Sequence, residues 1–466
     1  MSFEHLGEPT QGPRLLFTEP WDPIVVRRGD ALGLLALTSV FAEMVAPGLT
    51  NRVRDGRWVT ILSWCLVRSQ QIFQASVGRS VVTRAEQSAR YAWLRPLELM
   101  WAARTIGLAE DDWRDRPLLG RRRIQPWYED YSNRRYSADR FGMSVDQFRA
   151  YRQTGTYGGY RVAFRKWTGM TVGGDGWTPG PAANKLAKWL DARLGSAAPD
   201  WPLNASHLSD DGISIRSAKL GRGDECKWWL QHWSNFDRSG KRAEETLPRP
   251  RDEFEILPEV DLLRPIVFED HGGKRRRRVA LEIAKCGAKD HLGVCRHLGL
   301  LFKDEEPAMA LLPRFSRLAD AGIAAMEVIA KSLGGKSQIP LAEAASSPSA
   351  GRVCQELVAA AREWPTAADL TLRHVDTAHR FANAIRSADP VECFTDLLQH
   401  HEMYGGGLRW FVLRNGRIEP RMPPLANASG YRFRLWSLCR LATQCGVIRE
   451  MPAGLREEDD DLTEDV

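Results

Sequence analysis

From Asp30 onward, Leu34, Leu37, Phe41 and Met44 recur at three- and four-residue spacing, the period of an amphipathic helix, and Pro47-Gly48 ends the run. A second helix is predicted from about 57 to 75, turning Trp58, Ile61, Leu62, Cys65, Ile72 and Phe73 toward a core. The two form a helical hairpin whose connection, "APGLTNRVRDGRW" at 46–58, holds Arg52, Arg54 and Arg57. A third helical stretch, about 84–107, contains Pro96, which should kink or split it. Residues 110–140 are charged and aromatic, and Ser144 with Gln147 resembles a capping box before a short helix. "TGTYGGYRVAFRKWTGM" reads as a turn followed by a strand. Residues 172–250, rich in Gly, Trp, Pro and Ser, carry short helical patterns near 182–194 and 224–235.

The second half returns to helical periodicity near 275–287, 305–333, 351–364, 367–386 and 390–402, with "SSPSAG" at 346–351 as a break. The period then changes. "GGLRWFVLRNGRIEPRM" is an apolar strand, an Asn415-Gly416 turn that accepts positive φ, and a return strand. A last helix, about 431–445, places Tyr431, Leu435, Leu438, Ala442 and Cys445 on one face and ends at Gly446. The fold class is therefore mainly α with small β elements: a multi-domain helical protein with a C-terminal β-hairpin, in an order compatible with a winged-helix-like end domain. The expected organisation is an arm over 1–30, a helical domain with a Trp/Gly-rich insertion over 31–245, a helical domain over 255–450 with the hairpin at 405–422, and an acidic disordered tail over 455–466. "LPRPRDEFEILPE" serves as the linker between the two domains. No internal repeat is evident.

Composition sharpens this in three ways. Hydrophobic content of 43% and charged content of 27% are ordinary globular values, and 466 residues suffice for several domains. No run of 18 apolar residues occurs and the N-terminus lacks a basic start with an apolar core, so neither a membrane span nor a signal peptide is read, and the expected location is the cytoplasm. Eight cysteines show no paired framework and read as buried thiols. The net charge of +6 conceals a segregation: residues 457–466 carry seven acids and no base, and subtracting that −7 leaves the rest at +13. A body this basic suits a polyanionic partner, and the tail either shields a basic face or only solubilises the chain.

Candidate chemistry is sparse. "AKSLGGKS" at 330–337 matches a relaxed phosphate-loop pattern, but a true phosphate loop follows a buried strand and opens a helix. Here a helical pattern precedes it and Pro340 follows, so Gly334-Gly335 reads as a helix stop. "CGAKDHLGVCRH" offers Cys286, His291, Cys295 and His297 without the close pairs of a structural zinc site, and His374/His379 and His400/His401 add none. Glu269, Asp270, Glu282 and Lys285 lie near one another in sequence, yet "LEIAK" lacks a nuclease-type E-x-K and reads as a solvated helix face. No catalytic residue, metal ligand or cofactor is assigned.

The basic features are more coherent. Lys274, Arg275, Arg276, Arg277 and Arg278 form one positive block and Arg121, Arg122 and Arg123 another. Blocks of this kind neutralise phosphates without sequence preference. Trp127, Tyr128, Tyr136 and Trp167 stand among such residues and are candidates for stacking on unpaired bases, whereas Trp58, Trp64, Trp93 and Trp101 fit apolar helix faces. Arg52, Arg54 and Arg57 sit at a helix start, itself a ready phosphate site, although internal acids such as Asp55 are equally suited to pair with them.

Two stretches carry a resemblance. "RRGDALGLLALTSVFAEMVAPGLTNRVRDGRWVTILSWCL" resembles the N-terminal region of an uncharacterised family of bacterial proteins, and "HHEMYGGGLRWFVLRNGRIEP" with "YRFRLWSLCRLATQCGV" is similar to its C-terminal end. That family is encoded in phage-defence gene neighbourhoods, near helicases and phospholipase-D-like nucleases. The match covers about a quarter of the chain and implies a context rather than a catalytic residue. The resulting expectation is a non-catalytic DNA-binding or scaffolding subunit of a bacterial multi-gene anti-phage system, partnered by a separate helicase or nuclease. Its phosphate contacts would be the arginines and lysine named above together with Arg409 at the hairpin. The alternatives are a metal-dependent nuclease whose acids converge only in three dimensions, and a pure protein-interaction subunit.

Overall fold

The computed structural model describes residues 30–77, 94, 97–108, 110–132, 155–194, 244–251, 253–365, 372–405, 409–421 and 431–455. Residues 1–29 of the expected arm (1–30), the capping box at 144–147, the helix near 224–235, Trp93, Pro96, Tyr136 and residues 456–466 of the expected acidic tail lie outside them. The chain is mostly helical, with a small antiparallel sheet near its C-terminal end. It divides into two compact units, residues 52–267 (the N-unit) and residues 30–51 together with 268–455 (the C-unit). The division therefore departs from the expected break between 245 and 255. Residues 30–51, with α1 (Leu35–Val45), belong to the C-unit because the Phe41 ring packs 5.2 Å from Phe315 and 6.0 Å from Phe433. No local pattern announces such a long-range partnership.

The N-unit is built on α2 (Gly56–Val77), which follows the expected apolar periodicity and buries Trp58, Ile61, Leu62, Trp64 and Cys65. Trp64 meets Trp101 edge to face at 5.9 Å, a preferred aromatic geometry, and Trp58 donates its indole N–H to the Pro117 carbonyl at 2.6 Å. Helix α3 (Arg121–Ser132) carries Pro126 in its first two turns, and α4 (Thr156–Lys166) occupies the segment expected to be turn and strand. The reason lies in Tyr157, Tyr160, Arg161 and Phe164, buried at i, i+3, i+4 and i+7, a helical stripe that the Gly158-Gly159 pair disguised as a turn. Gly159 is there for space: a Cβ on it would collide with Leu119 and stand 3.0 Å from Arg52. The buried Glu98 carboxylate accepts from the Tyr157 N–H at 2.9 Å, meeting the positive start of α4. Helix α5 (Pro181–Leu194) packs along α2, and its Asp191 accepts from Trp64 Nε1 at 2.7 Å and Arg68 Nη2 at 2.5 Å.

In the C-unit, α6 (His271–Lys285) and α7 (His291–Phe302) are each capped by a carboxylate, Asp270 accepting from Gly273 N and Asp290 from Gly293 N. Helix α8 (Leu312–Leu333) is the long apolar element. It packs against α7 and against α10 (Ala350–Glu363), which follows the short α9 (Leu341–Ala345). Gly334 ends α8 in the left-handed conformation (φ 53°), so "AKSLGGKS" is a helix cap, and Lys336 pairs with Glu343 at 2.6 Å. Helices α11 (Val375–Ala384) and α12 (Pro390–Tyr404) complete the helical layer, with Asp389 capping the second through Val391 N and Glu392 N.

The expected hairpin is β2 (Phe411–Arg414) and β3 (Arg417–Pro420), turning through Asn415 (φ 50°) and Gly416 (φ 70°). A strand that the sequence pattern does not announce, β1 (Ile339–Pro340), pairs antiparallel with β3, giving the order β1-β3-β2. The last helix, α13 (Leu435–Gln444), follows, and Tyr431, Leu435, Leu438, Ala442 and Cys445 are all buried as its periodicity requires. Among the described residues no helix is long and apolar enough to cross a membrane.

Candidate nucleic-acid interface

The arginine-rich turn before α2 resolves into an internal structure. The buried Tyr160 hydroxyl accepts from Arg54 N and Asp55 N and donates to the Asp55 carbonyl, all at about 3 Å, which fixes the backbone of the turn. Asp55 then accepts from Arg57 N at 2.8 Å and supplies the negative charge that the helix start favours. The Arg57 side chain is 1% exposed, with Nε 2.9 Å from Glu259 Oε1, and Arg54 is 9% exposed. Burial lowers the Arg57 pKa despite Glu259 and Asp55, and burial raises that of Glu259 despite Arg57. Neither Arg54 nor Arg57 therefore presents a guanidinium to a surface polyanion, and of the three expected contacts only Arg52 is exposed.

The second block behaves similarly. Arg121 is half-buried, 4.7 Å above the Trp113 ring, and donates to the carbonyls of Trp113 and Arg114. The side chains of Arg122, Arg123 and Trp127 lie outside the described residues. Trp167, expected as a stacking residue, is instead buried in the N-unit, while Tyr128 is half-buried.

Helix α6 sorts the third block by its turn. Arg276 shares a face with Val279, Ala280 and Ile283, is 1% exposed, bonds Asp270 at 3.0 Å and donates to the Pro47 carbonyl. Arg275 donates to Met44 O and to Glu306, each at 3.1 Å, with its guanidinium 3.7 Å from the Phe302 ring centroid. Burial lowers the pKa of both Arg275 and Arg276, against the neighbouring carboxylates. Arg278 is exposed but held by Glu305 at 2.6 Å. These three arginines are thus committed within the C-unit, contrary to the reading of the whole block as phosphate contacts. Lys274 and Arg277 are exposed and form no ion pair among the described residues.

The hairpin carries the remaining cations. Arg414 and Arg417 are exposed, face one another in the strand register and form no ion pair among the described residues. Like charges directly opposite one another destabilise a strand pair, a cost that a bound anion removes. Ile418 between them and the core is buried beside Ile339 of β1, and Leu341 N donates to Gly416 O at 2.9 Å, so the turn is braced from one side. Arg421 pairs with Glu419 at 3.2 Å, and Arg409 is exposed 3.6 Å from Glu402. Helix α12, which leads toward the hairpin, exposes Glu392, Gln399, Met403 and Tyr404 and contains no lysine or arginine.

The possible metal ligands do not converge. Cys286 Sγ donates to Ile283 O, and His297 lies 3.8 Å from Glu282. His291 is buried beside Cys295 and Ser316, where burial and Arg432 hold its pKa well below the usual histidine range. His379 accepts from Trp364 Nε1 at 3.0 Å. Glu282 pairs with Lys285 at 3.0 Å. Among the described residues no three His, Cys, Asp or Glu side chains form a group that would hold a metal ion. Comparison with protein-family models, curated proteins and solved structures finds no match to this chain.

Proposed function

We propose that this chain is a non-catalytic nucleic-acid-binding or scaffolding subunit that grips DNA phosphates through the cations its own carboxylates leave unclaimed. The observation that carries the reading is the hairpin turn, where Arg414 and Arg417 face each other, exposed and without an ion pair among the described residues. Lys274 and Arg277 on α6 are cations of the same kind. The strand order β1-β3-β2, with a helix before β1 and helices before the hairpin, is the order of a winged helix, in which the hairpin is the wing. That likeness is an analogy of element order, and the chain departs from it by placing four helices, among the described residues, between β1 and β2. The acidic, lysine- and arginine-free α12 makes a poor recognition helix for a major groove. The contact this supports is to backbone phosphate, without base readout.

The resemblance of the terminal stretches to proteins of phage-defence neighbourhoods supports a place beside a separate helicase or nuclease, which would supply the chemistry. The test is binding of the full chain to labelled duplex and single-stranded DNA over a salt series, without and with magnesium. The expected result is binding that weakens steeply with salt while the DNA stays intact. Magnesium-dependent cleavage would favour the nuclease alternative, and no binding at low salt would leave a protein partner as the ligand of these cations.

A further inference from the structure

The N-unit contains a cavity of about 450 Å³ whose described lining includes Arg57, Arg193 and Arg249 together with Trp189, Thr246 and one carboxylate among the described residues, Glu245. Helix α5 sets Trp189 and Arg193 four residues apart on one face, and the Arg193 guanidinium lies 5.5 Å from the Trp189 ring centroid. The Arg57 guanidinium lies 5.3 Å from the same ring. Behind Arg57, Glu259 is anchored by the Thr60 hydroxyl at 3.0 Å and holds the guanidinium from one side. Arg57 Nη2 is buried and makes no hydrogen bond among the described residues. Arg193 is exposed and forms no ion pair among the described residues, while Arg249 pairs with Glu253 and Glu255, each at 3.7 Å.

A buried guanidinium donor left unbonded is costly, and a second and third guanidinium held around the same space add repulsion. Both penalties fall when an anion enters. We propose that this cavity binds a small phosphate monoester of about mononucleotide size. The guanidinium fork matches phosphate oxygens in pairs, and a phosphate monoester, carrying roughly −1.5 to −2 charge near neutral pH, offers acceptors to Arg57 Nη2 and to Arg193, the lining guanidinium that forms no ion pair among the described residues. The volume lies within the range of small-molecule sites, roughly 300–1,000 Å³, and exceeds what a bare ion fills. Trp189 offers an aromatic surface to the organic part. The inference is independent of the DNA reading, since its residues belong to the N-unit and its ligand is a small molecule.

The experiment is calorimetric titration of the full chain at low salt with adenosine monophosphate and, separately, with inorganic phosphate. The expected result is saturable binding of the nucleotide at one site per chain, tighter than that of phosphate. Arg193→Ala and Arg249→Ala should each weaken it by about tenfold or more, the value of one charge-assisted hydrogen bond. Both substitutions touch groups outside the core, and an unchanged unfolding temperature and unchanged DNA binding confirm that the fold and the hairpin are intact. Arg57→Lys, which keeps the charge but loses the fork, should also weaken the nucleotide. Absence of binding at millimolar nucleotide, equal binding of inorganic phosphate, or wild-type affinity in the Arg193 and Arg249 variants would each overturn the proposal.

Discussion

Acidification below pH 6.5 should destabilise the C-unit through three buried histidines. His291 is stacked 5.5 Å from Phe433 and bonded to Ser316 at 3.2 Å, and burial and then Arg432 lower its pKa. His400 donates Nε2–H to Leu32 O at 3.0 Å, and its pKa is lowered by burial, Arg380 and His401. His401 donates Nδ1–H to Ala31 O at 2.7 Å and accepts from Trp410 N at Nε2, a hydrogen-bond pattern that only the neutral ring allows. Its pKa is lowered by burial and Arg409. All three folded pKa values lie below the unfolded value of about 6.5, so the unfolded chain binds more protons below that pH. Their contribution is complete above pH 7 and is lost as pH falls through 6.5 toward the folded values. Each histidine costs at most about 1.4 kcal/mol per pH unit, and only while the pH lies between its unfolded and folded values, so about 4 kcal/mol per unit is the ceiling for the three, set against the roughly 5–15 kcal/mol that a domain commonly has. Urea unfolding at pH 7.5, 6.5 and 5.5, with hydrogen exchange followed in α7 and α12, measures this directly. His291→Gln should flatten the dependence by about one histidine's share. A C-unit whose stability holds level or rises from pH 6.5 to 5.5 would show that burial does not hold these rings neutral in the folded state.

In the N-unit, Glu259→Ala leaves Arg57 buried without its carboxylate and should cost about 3–5 kcal/mol, read as a lower urea midpoint with unchanged slope. Gly180→Ala drives a Cβ into the Gly169 carbonyl oxygen, a backbone atom that cannot turn aside. A loss of about 1–3 kcal/mol is expected, and a thermal midpoint equal to wild type would contradict that packing.

The elements legible in the sequence were those whose signal is local. The stripe along α8, the Asn415-Gly416 turn and the apolar face of α13 each specify their conformation within a few residues. What escaped depends on distant partners. β1 is two residues long and exists only through pairing with β3, and α1 joins the C-unit only because Phe315 and Phe433 receive Phe41. Arg57 looked like a surface charge because Glu259, its partner, is remote in sequence. The basic block of α6 was partly decipherable: Arg276 falls in phase with Val279, Ala280 and Ile283, so helical periodicity alone places it inward and Lys274 and Arg277 outward. The cavity residues Trp189 and Arg193 carried only a weak signal, four-residue spacing on one helix, and Arg249 carried none until the chain brought it beside them.

On the proposed reading, unclaimed cations, rather than basic blocks as such, contact DNA. Its most direct test compares the salt dependence of duplex binding in wild type, Arg414→Ala/Arg417→Ala and Arg317→Ala. Arg317 is held by Glu356 at 2.8 Å and by Glu363, and serves as the committed control. Replacing the hairpin pair should lower the slope of log affinity against log salt by up to about 1.8, near 0.9 for each phosphate no longer neutralised, while Arg317→Ala should leave it unchanged. Equal slopes in all three proteins would contradict that reading.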